Sequence, residues 1–598
     1  MSLFIGAAPA TAKAPRTLYV ALEVESDEAN SGCDAPLVGT GDLGEDWSDN
    51  PAAAIQTAIN EAGDGDTIHI CAGTWLLDQA EGDRINGDDQ LSTNSTELTI
   101  EGDGAGKTEL VSDSYGRIIS TANALGEFDV PIIIRDITLS GGNVTWNGGA
   151  VVAMGVTCED SVIRNSSTGT WDGGESAGNG GGIYSTGPVQ LDGCRVTGNT
   201  AEGSGGGVAL ASAVLTVTNS VISENMAERG FGGGVFRQSS EQDLNISNSI
   251  FSGNDSEDTG GALSARGWSE GTITSTTFTA NHSDYWGGAI DFNGIWTLEN
   301  VDFIENSATN GGGAIDNSGG DSDQLYIYNS RFVGNTSLGA GGEGGGAILN
   351  NGGRVEIDGS LFFGNTIGGG SPGGAVYANN VVSLKTRYEK NVAGYRGGAI
   401  AVEESLYSSQ DRYTQNQADY CGAVIAYGGE LTRSYFSANS SATYGGAGCL
   451  WYTSVVGTQF VGNSALEAGA LWGYYMTIRQ STFDSNRATG YEGGAAVLSG
   501  PLVLSDSTFS RNTASRFGGA VHLGGYAPNS SWVLSGNRFT RNTAASGGGA
   551  IDVGTCVAGP RNLGRILTRG NRFGANRVFH DNRTTDISVR AGNSVCAP

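Results

Sequence analysis

The sequence predicts an all-β solenoid, a parallel β-helix, on three observations. Two marks recur together: a Gly-Gly pair before a small residue and Ile, Leu or Val, and an aromatic three residues before an asparagine (F-x-x-N). The asparagines number sixteen, from Asn165 to Asn576, with successive ones 23 to 34 residues apart. A period in that range marks stacked supersecondary units, so the length of 598 residues need not mean several globular domains. Glycine supplies 98 residues, over twice ordinary usage, without a collagen period.

The N-terminal elements follow from local pattern. Residues 1–16 form a leader whose Ala-Thr-Ala looks like the tail of an export signal or a scar. Thr17-Leu18-Tyr19-Val20 reads as a strand, followed by a polar, acidic loop to about Asn50. One helix is expected next: Asn50 caps it, Pro51 fits its first turn and Gly63 ends it. Ala54, Ile55, Ala58, Ile59 and Ala62 give it one apolar stripe, as a lid over the first turn requires. Alternation in 67–71, 98–100 and 132–139 predicts strands, and the polar segment 78–95 a surface loop. The expected organisation is 17–140 as cap and first coils, 141–576 as the repetitive β-helix, and 577–598 as a C-terminal cap.

Within the repeat, each coil must close in about 25 residues and stack on the next at about 4.8 Å, which gives 18–20 coils. Buried parallel strands want apolar interiors. One inward column is the residue after the small position, such as Ile183, Val208, Ile290, Ile315, Ile400 and Val521. The second is the F-x-x-N aromatic, from Phe251 to Phe573, with Tyr388 and Tyr413 replacing Phe. The glycines suit tight turns. The asparagines are placed at bends in left-handed geometry, their amides free to bond along the axis. Extra residues near 166–179 and 320–326 should loop outward.

The net charge of −31 argues against nucleic acid and disfavours polyanionic ligands unless a cation or a local arginine cluster bridges them. No apolar run reaches the roughly 18 residues of a membrane helix. Eight cysteines form four sequence-local couples. Cys33–Cys71 and Cys556–Cys596 are expected to staple the two ends. Cys158/Cys194 and Cys421/Cys449 are either disulfides or buried thiols, since their places within the repeat do not coincide.

Residues 52–75 (AAAIQTAINEAGDGDTIHICAGTW) followed by LTIEGDGAGKT resemble the start of extracellular right-handed parallel β-helix proteins of the pectate-lyase-like class. That likeness spans about residues 50–140 and implies fold and handedness. The paired marks, such as Gly312-Gly313-Ala314-Ile315 with Phe332-Val333-Gly334-Asn335, resemble the repeats of the chlamydial polymorphic outer-membrane proteins over about 430 residues. Those proteins are autotransported surface adhesins, so the likeness implies an extracellular or cell-surface location. Adhesins of that type carry a C-terminal membrane barrel, for which residues 577–598 are too few.

Chemistry is sought on the column that follows the inward aliphatic, because strand alternation turns it outward. Its variable members include Tyr184, Phe236, Asp291, Asp316, Tyr377, Trp472, His522 and Asp552. Rings and carboxylates on one face suit a glycan. Asp291 and Asp316 hold the same place in successive coils, about 5 Å apart, where two carboxylates share a proton, bind Ca²⁺ or act as a glycosidase pair. The pectate-lyase likeness implies Asp clusters holding calcium beside a basic residue, yet no arginine shares this column. His69, His282, His522 and His580 are too scattered for a metal cluster, and no hydrolase or nucleotide-binding motif occurs. The expected function is a secreted or cell-surface binding protein, adhesin-like, contacting glycans or another surface. The rivals are a polysaccharide lyase or glycoside hydrolase, and a structural stalk or fibre subunit.

Overall fold

A turn is built from strands joined at corners that only special backbone geometry can make. In one turn Ile290–Glu299 forms a long strand with strictly alternating burial. Asn300 makes a corner at φ 55°. Asp302–Ile304 follows as a short strand that buries only Phe303. Glu305 makes the second corner at φ 54°, and Ser307–Ala308 runs into the Gly-Gly turn. The computed structural model describes residues 15–21, 51–63, 65–77, 85–86, 98–112, 116–121, 130–169, 177–211, 214–238, 243–317, 319–524, 532–554, 567–578 and 586–589. They form an all-β parallel solenoid of about 16 turns with almost no helix, close to the coil number the period gives.

Two compact units divide the chain at Val221 and Ile222. In the first, Thr17–Val20 pairs in parallel with Thr67–Ile70, which pairs with Leu98–Gly102, which pairs with Pro131–Arg135. The helix Pro51–Glu61 buries Ala54, Ile55, Ala58 and Ile59, so the apolar stripe is real. Its expected capping residue, Asn50, lies outside the described residues. The wall column here is Trp75, Leu110, Leu139, Ile163 and Val196, in register and fully buried. Cys158 and Cys194 are disulfide-bonded inside this unit, with Cα atoms 6.3 Å apart. Cys71 is also disulfide-bonded. Its expected partner Cys33, and the couple Cys556 and Cys596, lie outside the described residues.

The second unit carries the full repeat. Its aliphatic column, from Val235 to Ile551, is buried. Its aromatic column stacks from Phe251 to Phe573 with ring centroids 4.4–5.2 Å apart and planes tilted by at most 17°. The spacing is that of parallel strands, so each ring meets its neighbours face to face as a consequence of the backbone register.

The asparagines differ from expectation in one respect. The left-handed residue is the one before the asparagine: Glu305, Lys390, Gln415, Ser485, Arg511 and Arg541 all have φ between 54° and 59°. The asparagine itself is fully buried and points inward. Asn391 Nδ2 donates to Phe362 O and to Asn416 Oδ1, each at 3.0 Å, while its Oδ1 accepts from the amide N–H and the Nδ2 of Asn365. One carboxamide thus joins three turns and satisfies corner backbone groups that strand pairing cannot reach. Asn165 stands outside this ladder: it is the left-handed corner residue at φ 51°, and Ser166 takes the buried place.

A second ladder, unforeseen from the sequence, brackets the other end of the aromatic strand. Ser330 N donates to Ser360 Oγ, Ser360 N to Thr386 Oγ1, Thr386 N to Asp411 Oδ1 and Asp411 N to Ser434 Oγ. The preceding residue is again left-handed, as at Asn329, Gly359, Lys385, Gln410 and Arg433.

Two expected loops are shortened, and a third lies mostly outside the described residues. Ile85–Asn86, within the polar segment 78–95, pairs with Ile119–Ser120. Gln324–Tyr328 is a strand paired with 354–358, so the excursion there stops at about residue 323. In the insertion near 166–179, Ser167–Thr168 is a strand and residues 170–176 lie outside the described set. At the far end, Arg577–Val578 and Ile587–Val589 still pair with the preceding turn.

Candidate functional site

The column expected to face solvent is mostly covered. Phe236, Asp316, Leu349, Ile425, Cys449, Val497 and Asp552 are buried, and Tyr184, Asp291, Tyr377 and Trp472 are half-buried. The cause lies in the glycine turns. These residues do point out of the solenoid wall, but the Gly-Gly turn passes over them. A Cβ on Gly344 would sit 2.3 Å from Tyr377 Cγ, and one on Gly493 would sit 2.6 Å from Val497 Cγ2. Glycine is therefore required for the turn to lie against a second side-chain layer outside the sheet. This layer breaks into three chemically distinct places.

The first holds Asp291 and Asp316, which are Cα partners on adjacent strands as the repeat implied. Asp291 accepts hydrogen bonds from Thr259 Oγ1 and, at 3.1 Å, from Ser264 Oγ. Both hydroxyls belong to the preceding turn. Burial pushes the Asp291 pKa up, against those hydroxyls and the nearby Arg266. The described residues contain no group of three or more His, Cys, Asp or Glu side chains placed to hold a metal ion.

The second holds His522 and Asp552. His522 Nδ1 lies 2.8 Å from Asp552 Oδ2, with the carboxylate wholly buried. Gly524 and Gly554 close over the ring. Glu467 lies close enough to the ring to interact with it electrostatically.

The third is a groove of about 530 Å³ on the second unit. Its floor is the disulfide Cys421–Cys449, with Cα atoms 5.2 Å apart, packed with Ala401 and Ile425 outside the wall. Rings stand on this floor. Tyr427 stacks on Trp451 at 4.8 Å, and Trp451 meets Trp472 at 5.2 Å. Tyr395, Tyr420 and Tyr444 form a second rank with centroids 5.3 and 5.9 Å apart. Tyr395, Tyr420, Tyr427 and Tyr444 are 38–42% exposed, enough to offer ring faces and hydroxyls to a ligand. Polar groups hold the rim. Arg396 Nη1 donates to Tyr427 Oη at 3.1 Å and its Nη2 pairs with Glu403. Tyr377 Oη donates to Glu403 Oε1 at 3.0 Å. Burial, then Glu403, push the Tyr377 pKa up to about 12. Burial and then Glu492 push Glu467 above the usual carboxylate range.

Of the expected site residues, Trp472 lines this groove and Tyr377 packs against its floor, whereas Tyr184, Phe236, Asp291, Asp316, His522 and Asp552 do not line it. Sequence reading missed Tyr395, Arg396, Tyr420, Tyr427, Tyr444 and Trp451. The signal was present: Tyr420 and Tyr444 stand just before the glycine turn in successive repeats, and Tyr427 and Trp451 lie two residues past Ile425 and Cys449, on the same strand face.

Family comparison bears on the repeat. Residues 300–318 and 506–524 match the model of the Chlamydia polymorphic membrane protein repeat. The chain carries repeats of that kind. Together with the two disulfides, they support a surface or secreted β-helix protein. No curated protein matches the chain. Among solved structures, the PL6 family polysaccharide lyase Pedsa3628 from Pseudopedobacter saltans is 11% identical, with 90% of this chain and 93% of that one covered, at a TM-score of 0.20. The PL6 family alginate lyase AlyGC is 10% identical, with 91% and 98% covered, at 0.21. No helix among the described residues is long and apolar enough to cross a membrane.

Proposed function

We propose that this is an extracellular, adhesin-like protein that binds carbohydrate in the aromatic groove over Cys421–Cys449. The observation that carries the reading is the two ranks of exposed rings on a floor fixed by a disulfide and by parallel strands. Sugar rings present C–H faces that pack on aromatic faces, while Arg396, Glu467 and the tyrosine hydroxyls meet sugar hydroxyls. Rigid side chains on rigid strands lose little entropy on binding, which favours a shallow groove that would otherwise be too open.

A glycan array with and without Ca²⁺, scored also for new reducing or unsaturated ends, tests this. Binding without turnover is expected, and Trp451→Ala or Trp472→Ala should weaken it by about tenfold while leaving the fold intact. Product release from any polysaccharide would replace the binding reading with an enzymatic one. Equal binding by wild type and both tryptophan variants would remove the groove from the account.

A further inference from the structure

The C-terminal turns depart from the rest of the chain in charge. Residues 479–598 hold 13 Arg and no Lys against 6 Asp and Glu, a formal charge of +7 in a protein whose total is −31. On the outer face of the aromatic strands these arginines converge. Arg538 and Arg572 are Cα partners on adjacent strands, with Thr508 ahead of Arg538 in the same column. Arg511 and Arg541 occupy equivalent left-handed corners of successive turns, at φ 56° and 57°. A groove of about 450 Å³ is lined by Arg511, Arg538 and Arg541 with Ser510 and Thr540, and Arg572 stands on the next strand beside Arg538.

Like charges directly opposite on neighbouring strands are destabilising. Earlier turns answer such charges with a carboxylate or a ring. Arg331 pairs with Asp302, Arg387 with Glu389 and Arg511 with Asp484, and Arg412, opposite Arg387, lies over the Tyr435 ring at 5.4 Å. Among the described residues no carboxylate pairs with Arg538, Arg541 or Arg572, and all three are exposed. The fold gains nothing from this repulsion, so a bound anion is the natural counter-charge.

We infer that this face is a second binding site, separate from the aromatic groove, for an acidic polysaccharide bearing carboxylates or sulfates. Guanidinium forks match planar carboxylate and sulfate oxygens two bonds at a time. Guanidinia repeating at strand spacing suit a polymer that repeats its charge along a chain. Thr540 supplies a hydroxyl partner for sugar oxygens, whereas the Ser510 hydroxyl already donates to Asp484 Oδ1 at 2.6 Å. No aromatic side chain lines the groove to stack a base, as single-stranded nucleic acid needs. The acidic remainder of the protein opposes a long polyanion lying along it.

The test uses the full-length protein and, as probes, polygalacturonate, dextran sulfate, neutral dextran and single-stranded DNA, by titration calorimetry at low and physiological salt. Polygalacturonate or dextran sulfate should bind with a salt-sensitive affinity, and neutral dextran should not. The triple variant R538Q/R541Q/R572Q should lose roughly tenfold or more in affinity with an unchanged or raised melting temperature, because it removes repulsion. Trp451→Ala should bind the acidic chain as wild type does. Failure of both acidic polymers to bind wild type would overturn the inference, as would equal binding by the triple variant. DNA binding at or above polysaccharide affinity would overturn the choice of ligand. Salt-sensitive self-association abolished by the triple variant would overturn it too, by assigning the face to a second copy.

Discussion

The inside and the outside of the solenoid wall obey different rules. Inside the second unit, the place held by Phe332 is filled by an aromatic in every turn from Phe251 to Phe573, and the place held by Asn391 by asparagine from Asn225 to Asn576. Outside, one residue past the inward aliphatic, the chain runs through serine, aspartate, leucine, tyrosine, alanine, isoleucine, cystine and tryptophan. Both layers are largely buried, so burial alone does not explain the contrast. The inner side chains touch their own copies one turn above and below, and a residue that stacks on itself is fixed in type. The outer side chains touch a glycine turn, which accepts many shapes. Variation outside the wall can therefore build a local site without disturbing closure.

The comparison breaks most readily at the ladder. Asn391→Ala leaves four polar partners unmet on Asn365, Phe362 and Asn416. It should cost about 4 kcal/mol or more in chemical denaturation, with unfolding centred on that turn. Phe332→Ala opens a hole in a column with no slack and should cost about 3–4 kcal/mol by the same measurement. On the outside, replacing Cys421 and Cys449 by serine removes a link across 28 residues and should cost about 2–4 kcal/mol, with glycan affinity falling more than global stability. Asp411 sharpens the contrast within the interior. Its neighbours in the ladder, Thr386 and Ser434, carry hydroxyls where it carries a carboxyl, and burial pushes its pKa up to about 6. Its neutral form is favoured by folding, so its contribution is full below the unfolded pKa near 4 and is lost as pH rises through about 6. Wild type should therefore lose on the order of 2–3 kcal/mol between pH 4 and 7, and Asp411→Asn should flatten that dependence. Smallest, Trp451→Ala should change stability by less than about 1 kcal/mol, since the ring is half-exposed on the outer layer.

Legibility divided along the same line. The inward columns, the aromatic stack and the helix stripe could be read from the sequence because each is a repeated residue type at a fixed place. The hydroxyl ladder could not. Ser330, Ser360, Thr386, Asp411 and Ser434 share only an acceptor atom, and a pattern defined by an atom is invisible to a search by residue type. The corner geometry was misassigned by one residue because asparagine itself tolerates left-handed backbone, whereas here its side chain is consumed by the ladder and Glu305 or Lys390 takes the turn. The outer column was placed on the correct side of the wall but expected to be bare. Alternation fixes direction, and only the path of the glycine turn fixes cover. The aromatic groove was half found, through Tyr377 and Trp472, because its remaining rings come from two further places in the repeat.

The asparagine ladder also makes the chain editable in whole units. From Asn254 to Asn542 each carboxamide meets an asparagine above and below, so a segment running from one ladder asparagine to the residue before the next can be excised, or duplicated, and the cut ends rejoin on a matching surface. Deleting residues 391–415 would set Asn416 against Asn365 in the bonding pattern Asn391 had. Removal of half that span would leave no such match. Such a chain lengthens or shortens by recombination between its own repeats, and its outer sites are carried along, lost or doubled with the turns that bear them.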